Sequence, residues 1–178
     1  MVYISEIETP VGIWKITASE RGISGVYPSD SKVLVNENDI TRQAAQELEE
    51  YFVHIRTEFS TPLDPSGTPF QQQVWEVLRR IPYGQIWSYS QVAVALGRPT
   101  AVRAAAQAIG RNPCLILIPC HRVLGKDGSL TGFSAGLPLK EFLLQLEGIR
   151  SSGGVGETLS IFNKRPEENQ GRYGGRRG

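Results

Sequence analysis

A four-residue apolar run, Leu115-Ile116-Leu117-Ile118, is closed by Pro119 and followed at once by Cys120-His121. Apolar side chains on both faces predict a short strand buried inside a layered fold. Proline has no N–H for a sheet ladder, so the strand must end there. A thiol and an imidazole are thereby placed at the mouth of a strand, where side chains can meet a ligand. A thiolate is the strongest nucleophile among ordinary side chains, and a neighbouring imidazole can help to form it.

The chain has 178 residues, 40% of them hydrophobic, enough for one large domain or two small ones. No stretch approaches the roughly 18 apolar residues of a membrane helix, and no secretory leader is expected from Met1-Val2-Tyr3-Ile4-Ser5-Glu6. Two cysteines argue against a disulfide framework and for a reducing compartment. Cys114, Cys120, His121 and His54 fit no zinc spacing, so no metal site is expected; His54 reads as a surface residue and Cys114 as a small core residue. No glycine-rich phosphate loop or dinucleotide fingerprint is present, and no cofactor is expected. The net charge of +1 is uneven. Residues 1–67 carry 5 Lys/Arg against 11 Asp/Glu, whereas residues 68–147 carry 8 against 4. A basic middle behind an acidic front is compatible with a polyanionic partner.

In chain order, residues 2–8, 13–17 and 23–27 read as an antiparallel meander turned at Pro10-Val11-Gly12 and Glu20-Arg21-Gly22. Thr41 to Phe52 reads as an amphipathic helix with Ala44, Leu48, Tyr51 and Phe52 on one face, and Phe59–Leu63 as a last strand. The predicted fold class is therefore an α/β N-terminal domain, a small antiparallel sheet plus helix, over residues 1–63. Residues 64–67 form a linker. A mostly α-helical C-terminal domain with a helix-turn-helix follows over 68–150, then a Gly/Arg-rich tail, 151–178, expected to be largely disordered.

Capping signals mark the second domain. Thr68, Pro69 and Gln71 have the N-cap, N1 and N3 pattern of one helix, and Ser88 with Gln91 opens another that Gly97 closes. A third helix, from Pro99 or Thr100 to Ile109, completes the helix-turn-helix. Val102, Ala105, Ala106 and Ile109 share its core face; Thr100, Arg103, Ala104, Gln107 and Arg111 share the other. A final helix is expected from Lys140 to Leu146.

Pro119-Cys120-His121-Arg122-Val123 resembles the active-site signature of the O6-alkylguanine-DNA alkyltransferases. The resemblance runs from Gly67-Thr68-Pro69-Phe70 through Tyr83-Gly84, Ser88-Tyr89 and Arg111-Asn112-Pro113 to Leu146-Glu147, most of the C-terminal half in the same order. It implies irreversible, stoichiometric transfer of an alkyl group from O6-alkylguanine, with O4-alkylthymine as a further candidate substrate, to Cys120. His121 would take the thiol proton through a water, Glu147 would orient His121, and Tyr89 would donate to the departing base. The Ser134 N–H would face O6, the Val123 carbonyl would accept from the exocyclic amine, and Asn112 would pin the turn that presents Cys120. The helix carrying Thr100, Arg103, Ala104, Gln107 and Arg111 would lie in the minor groove of double-stranded DNA, with Arg103 filling the stack left by a flipped nucleotide. A monomer in the cytoplasm, on DNA, is implied, or in the nucleus of a eukaryote. Two positions depart from the pattern: Phe133 stands where many members have tyrosine, and Leu115 where one has proline. The competing readings are a lesion-binding module with an idle thiol and a cysteine hydrolase. The first would transfer nothing, and the second would turn over.

Overall fold

The computed structural model describes residues 1–149 except Ser31, Val33, Lys126, Asp127, Ser129, Thr131 and Gly132. The 151–178 tail, expected to be largely disordered, thus lies outside the described residues. The chain forms two compact units: Met1–Gly67 with Pro113–Leu117, and Thr68–Asn112 with the chain from Ile118 on.

In the first unit β1 (Tyr3–Thr9), β2 (Gly12–Ala18) and β3 (Ile23–Pro28) form an antiparallel sheet in that order. The β1–β2 register runs from Tyr3↔Ala18 to Thr9↔Gly12. Thr9 makes the tight turn by accepting from Val11 N and donating to the Gly12 carbonyl; Gly12 takes φ +107°, which glycine adopts without strain. Alternation places Ile7, Trp14, Ile16, Ile23 and Val26 in the core, against Ala44, Leu48, Tyr51 and Phe52 of α1 (Asp39–Phe52). The helix begins before the expected Thr41. Asn38 is the N-cap, and Thr41 is the N3 partner that closes the capping box.

The strand expected at Phe59–Leu63 does not form. Glu47 captures the backbone N–H groups and hydroxyls of Ser60 and Thr61, so those amides are not available to a ladder. Leu63 makes one isolated bridge to Ile23. Asp64, read as the start of a linker, accepts from Ser19 at the β2–β3 turn. Nor is Leu115–Ile118 a strand. Cys114 makes a single parallel bridge to Val26, and Ile116 then enters the left-handed region at φ +74°. Every side chain from Cys114 to Ile118 is nonetheless buried. The apolar run specified burial, and not extended backbone.

The second unit holds α2 (Pro69–Leu78), β4 (Trp87–Ser88), α3 (Tyr89–Ala95), α4 (Val102–Gly110), β5 (Val123–Leu124) and α5 (Leu137–Leu146). Both expected capping boxes are made: Thr68 with Gln71, and Ser88 with Gln91. Gly97, at φ +78°, ends the turn after α3, and α3 and α4 pack as the helix-turn-helix. Trp75 of α2 donates its indole N–H to the Ala108 carbonyl of α4 at 2.9 Å. The core face of α4 is Ala105, Ala108 and Ile109; Val102 and Ala106 are only half-buried. Helix α5 starts before Lys140 because Gly136 (φ +102°) and Pro138 set its first turn. Among the described residues no helix is long and apolar enough to cross a membrane.

Candidate active site

Pro119 precedes one 3-10 turn, Cys120–Arg122, after which Val123 and Leu124 pair in parallel with Trp87 and Ser88. Cys120 and His121 thus lie on a turn and not on extended backbone. At three residues per turn, neighbouring side chains still diverge by about 120°. The turn is held at both ends. Asn112 Nδ2 donates to the Ile118 carbonyl at 2.7 Å, and Lys140 Nζ donates to the Val123 carbonyl at 2.7 Å.

Cys120 and His121 are both buried, as is Glu147 at the C-terminal end of α5. His121 Nε2 lies 2.7 Å from Glu147 Oε2. An ionised carboxylate only accepts, so Nε2 carries the proton and Nδ1 keeps its lone pair. Nδ1 is buried and has no hydrogen-bond partner in the protein. Glu147 is saturated from three further directions: Arg122 donates through Nε (2.9 Å) and Nη2 (3.0 Å), and the Gly84 N–H donates at 3.0 Å. Arg122 also donates to the Ile81 carbonyl at 2.7 Å.

These contacts set the protonation states. Burial alone would raise the Glu147 carboxyl, but His121 and Arg122 outweigh it and hold the group well below the usual carboxylate range. Burial dominates at His121 and lowers it, against the pull of Glu147, so the imidazole is neutral at pH 7. Burial pushes the Cys120 thiol up, opposed by the Asn112 amide and the Lys140 charge. The resting group is therefore a thiol beside a neutral imidazole whose free nitrogen can take a proton.

Thr100, Arg103, Ala104, Gln107 and Arg111, the residues predicted to share one face, are all exposed on or beside α4. The groove between the start of α2 and the end of α4 is lined by Thr68, Phe70, Gln71, Gln107 and Arg111. Tyr89 opens α3 directly after Ser88, which pairs with Leu124 of β5. Ser134 is exposed in the turn before α5, and Phe133 is half-buried. Among the described residues no group of three or more His, Cys, Asp or Glu could hold a metal ion. Cys114 belongs to the first unit, its thiol directed at the Ile23 carbonyl.

Two family models cover the chain: residues 2–65 match the 6-O-methylguanine DNA methyltransferase ribonuclease-like domain, and residues 69–149 the DNA-binding domain of the same family. The methylated-DNA--protein-cysteine methyltransferase of Methanosarcina barkeri is 41% identical over 82% of this chain and 97% of its own. The chain belongs to the 6-O-methylguanine DNA methyltransferase family. The constitutive methylated-DNA--protein-cysteine methyltransferase of Bacillus subtilis is 44% identical over 84% of this chain and 97% of its own. The fold agrees with the crystal structure of the Mycobacterium tuberculosis protein OGT in complex with DNA (TM-score 0.71, 38% identity, 80% of this chain and 90% of that one).

In this methyltransferase the structure joins Cys120, His121, Glu147, Asn112 and Val123 in one buried group, and leaves the α4 residues on a separate exposed face. Sequence reasoning gave no role to Arg122, Lys140 or the Gly84 N–H. Arg122 sits inside the quoted pentapeptide, and its signal was a charge followed by the apolar pair Val123-Leu124. Lys140 was visible as the one basic residue among the leucines of α5.

Proposed function

We propose that this protein reverses guanine alkylation in DNA by one irreversible transfer of the O6-alkyl group to Cys120. The observation that carries the proposal is the His121 tautomer: Nε2–H is committed to Glu147, and a free Nδ1 lies buried beside the cysteine turn. A bridging water passes the thiol proton to Nδ1, because the two side chains leave the turn in different directions. Burial disfavours a standing thiolate, so the anion forms as the proton leaves. The Sγ–C bond then forms while the C–O6 bond breaks, and its electron pair stays on the guanine. Tyr89 donates a proton to the departing base and regains one from solvent, while His121 later releases the thiol proton to solvent, so that one proton replaces the alkyl group overall. The imidazolium formed on His121 is stabilised by Glu147.

The remaining assignments are the Val123 carbonyl as acceptor for the exocyclic amine and the Ser134 N–H as donor to O6. Asn112 is the pin of the turn. Residues 1–63 act as scaffold and 68–150 as the transfer domain. The exposed face of α4 approaches the minor groove. Its small Ala104 permits close contact, Thr100, Gln107 and Arg111 meet the backbone, and Arg103 enters the stack as the nucleotide flips out. Its exposure and the DNA complex of the M. tuberculosis protein support this reading. The protein works as a monomer on DNA in the cytoplasm, or in the nucleus if its source is eukaryotic, without a cofactor. Cys120→Ala should abolish transfer from methylated duplex DNA while Cys114→Ala retains it. Alkyl label appearing on Cys114 of the Cys120→Ala protein would overturn the assignment.

A further inference from the structure

Trp75 takes no part in the transfer chemistry, yet it makes a directional bond across the second unit. It lies in α2, 2% exposed, and its indole N–H donates at 2.9 Å to the Ala108 carbonyl in the last turn of α4. The last carbonyls of a helix receive no N–H from the helix itself. The Ala108 carbonyl accepts from the Arg111 N–H in a tight final turn and from Trp75 on the side. Ala108 also lines the groove between the start of α2 and the end of α4, beside Gln107 and Arg111. The residue that the tryptophan holds is therefore one that shapes the groove.

Little else fixes α4 along its own axis. Helices α2 and α3 are each anchored at the first turn by a capping box, whereas α4 opens at Ala101 with no side-chain cap. Its buried face is Ala105, Ala108 and Ile109. Helices resist sliding by interlocking ridges and grooves of side chains, and alanine methyl groups make a shallow ridge. Hydrophobic burial has no direction, so it favours a range of offsets almost equally. A hydrogen bond is directional and weakens steeply away from its best angle. A slip of one residue moves a helix by about 1.5 Å, enough to carry Arg103 out of register with the nucleotide it replaces. Asn112, just beyond the end of α4, pins the Ile118 carbonyl, so the same tie steadies the point from which that pin extends.

We propose that Trp75 is a positioning residue for repair of duplex DNA: its indole N–H fixes the register of α4 against α2, and with it the placement of Arg103. This role rests on the reading of α4 as the DNA-facing helix. Trp75→Phe keeps an aromatic ring in the core and removes the donor. Single-turnover transfer from O6-methylguanine duplex, read at saturating DNA so that affinity does not enter, should slow by roughly ten- to a hundredfold. Carbamoylmethylation of Cys120 by iodoacetamide, followed by peptide mass, should keep its wild-type rate, because it needs no helix seated on DNA. A saturating transfer rate equal to that of wild type overturns the proposal. So does a loss of the same factor in both reactions, which would make Trp75 merely structural. Wild-type protein that reacts with iodoacetamide but takes no methyl group from the duplex overturns the repair reading instead. If the variant does not fold, the unmutated protein supplies the answer. Coupling between DNA and the tie is reciprocal, so a duplex that needs α4 in this register must hold the tie closed. Exchange of the Trp75 indole proton, followed by NMR, should slow when unmodified duplex is added, and by a larger factor than that of Trp14 in the first unit. Equal factors, or no slowing at Trp75, overturn the proposal.

Discussion

Replacing Lys140 by methionine should make the protein more stable at pH 7 and less so, relative to wild type, as the solution becomes alkaline. Burial brings the lysine from 10.5 down to about 8 in the fold. At about 1.4 kcal/mol per pH unit, holding it protonated inside the fold at pH 7 costs about 3 kcal/mol. Methionine matches its length and removes that cost, while loss of the hydrogen bond to Val123 offsets about 1 kcal/mol, leaving a net gain of about 2 kcal/mol. Between about 8 and 10.5 the unfolded chain binds the proton that the fold has released. Wild-type stability therefore gains from this group as pH rises through that window, and the advantage of the variant disappears. Urea unfolding at pH 7, 8, 9 and 10 measures the difference, with both proteins in a Cys120→Ala background so that the thiol does not titrate. A methionine variant no more stable than wild type at pH 7, or a difference that does not change with pH, would refute the reasoning.

Glu147→Gln leaves the Arg122 guanidinium buried without its counter-charge and should cost about 3–5 kcal/mol of stability, with slowed transfer; thermal unfolding and single-turnover assays check both. Acid should act through the same cluster. His121 and Glu147 are both lowered in the fold, so the unfolded chain binds more protons, and stability should fall below about pH 6.5 and more steeply below about pH 4.3. A stability curve flat down to pH 4 in urea titrations would contradict it. Arg103→Ala should slow repair of duplex DNA far more than reaction with a free alkylguanine base, since the free base needs no flipping; equal losses on the two substrates would make Arg103 structural.

What could be read from the sequence followed the range of the forces involved. The caps at Thr68–Gln71 and Ser88–Gln91 act over three residues, and both were legible. The meander was legible because alternation and turn residues are local too. The strand expected at 115–118 was not, because hydrophobicity reports burial while the left-handed Ile116 reports a tertiary constraint. Phe59–Leu63 failed for a similar reason: Glu47, more than ten residues earlier, takes its amides. At the site, Cys120 and His121 were visible as neighbours. Glu147 came only from the family resemblance, since nothing local links residue 147 to residue 121. Arg122 and Lys140 become meaningful only when α5 folds back on the cysteine turn, and no spacing in the sequence announces that contact.

The central claim is that Cys120 accepts one alkyl group and keeps it. A thioether has no carbonyl for water to attack, and expelling the thiolate from carbon needs a strong nucleophile held in line. His121 and Glu147 are committed to each other and to the proton. Limiting protein incubated with excess O6-methylguanine duplex, without metal or nucleotide, should repair one lesion per chain and gain one methyl group, on the peptide containing Cys120. Repair that continues well past one equivalent, or a methyl group found on another peptide, would contradict the account.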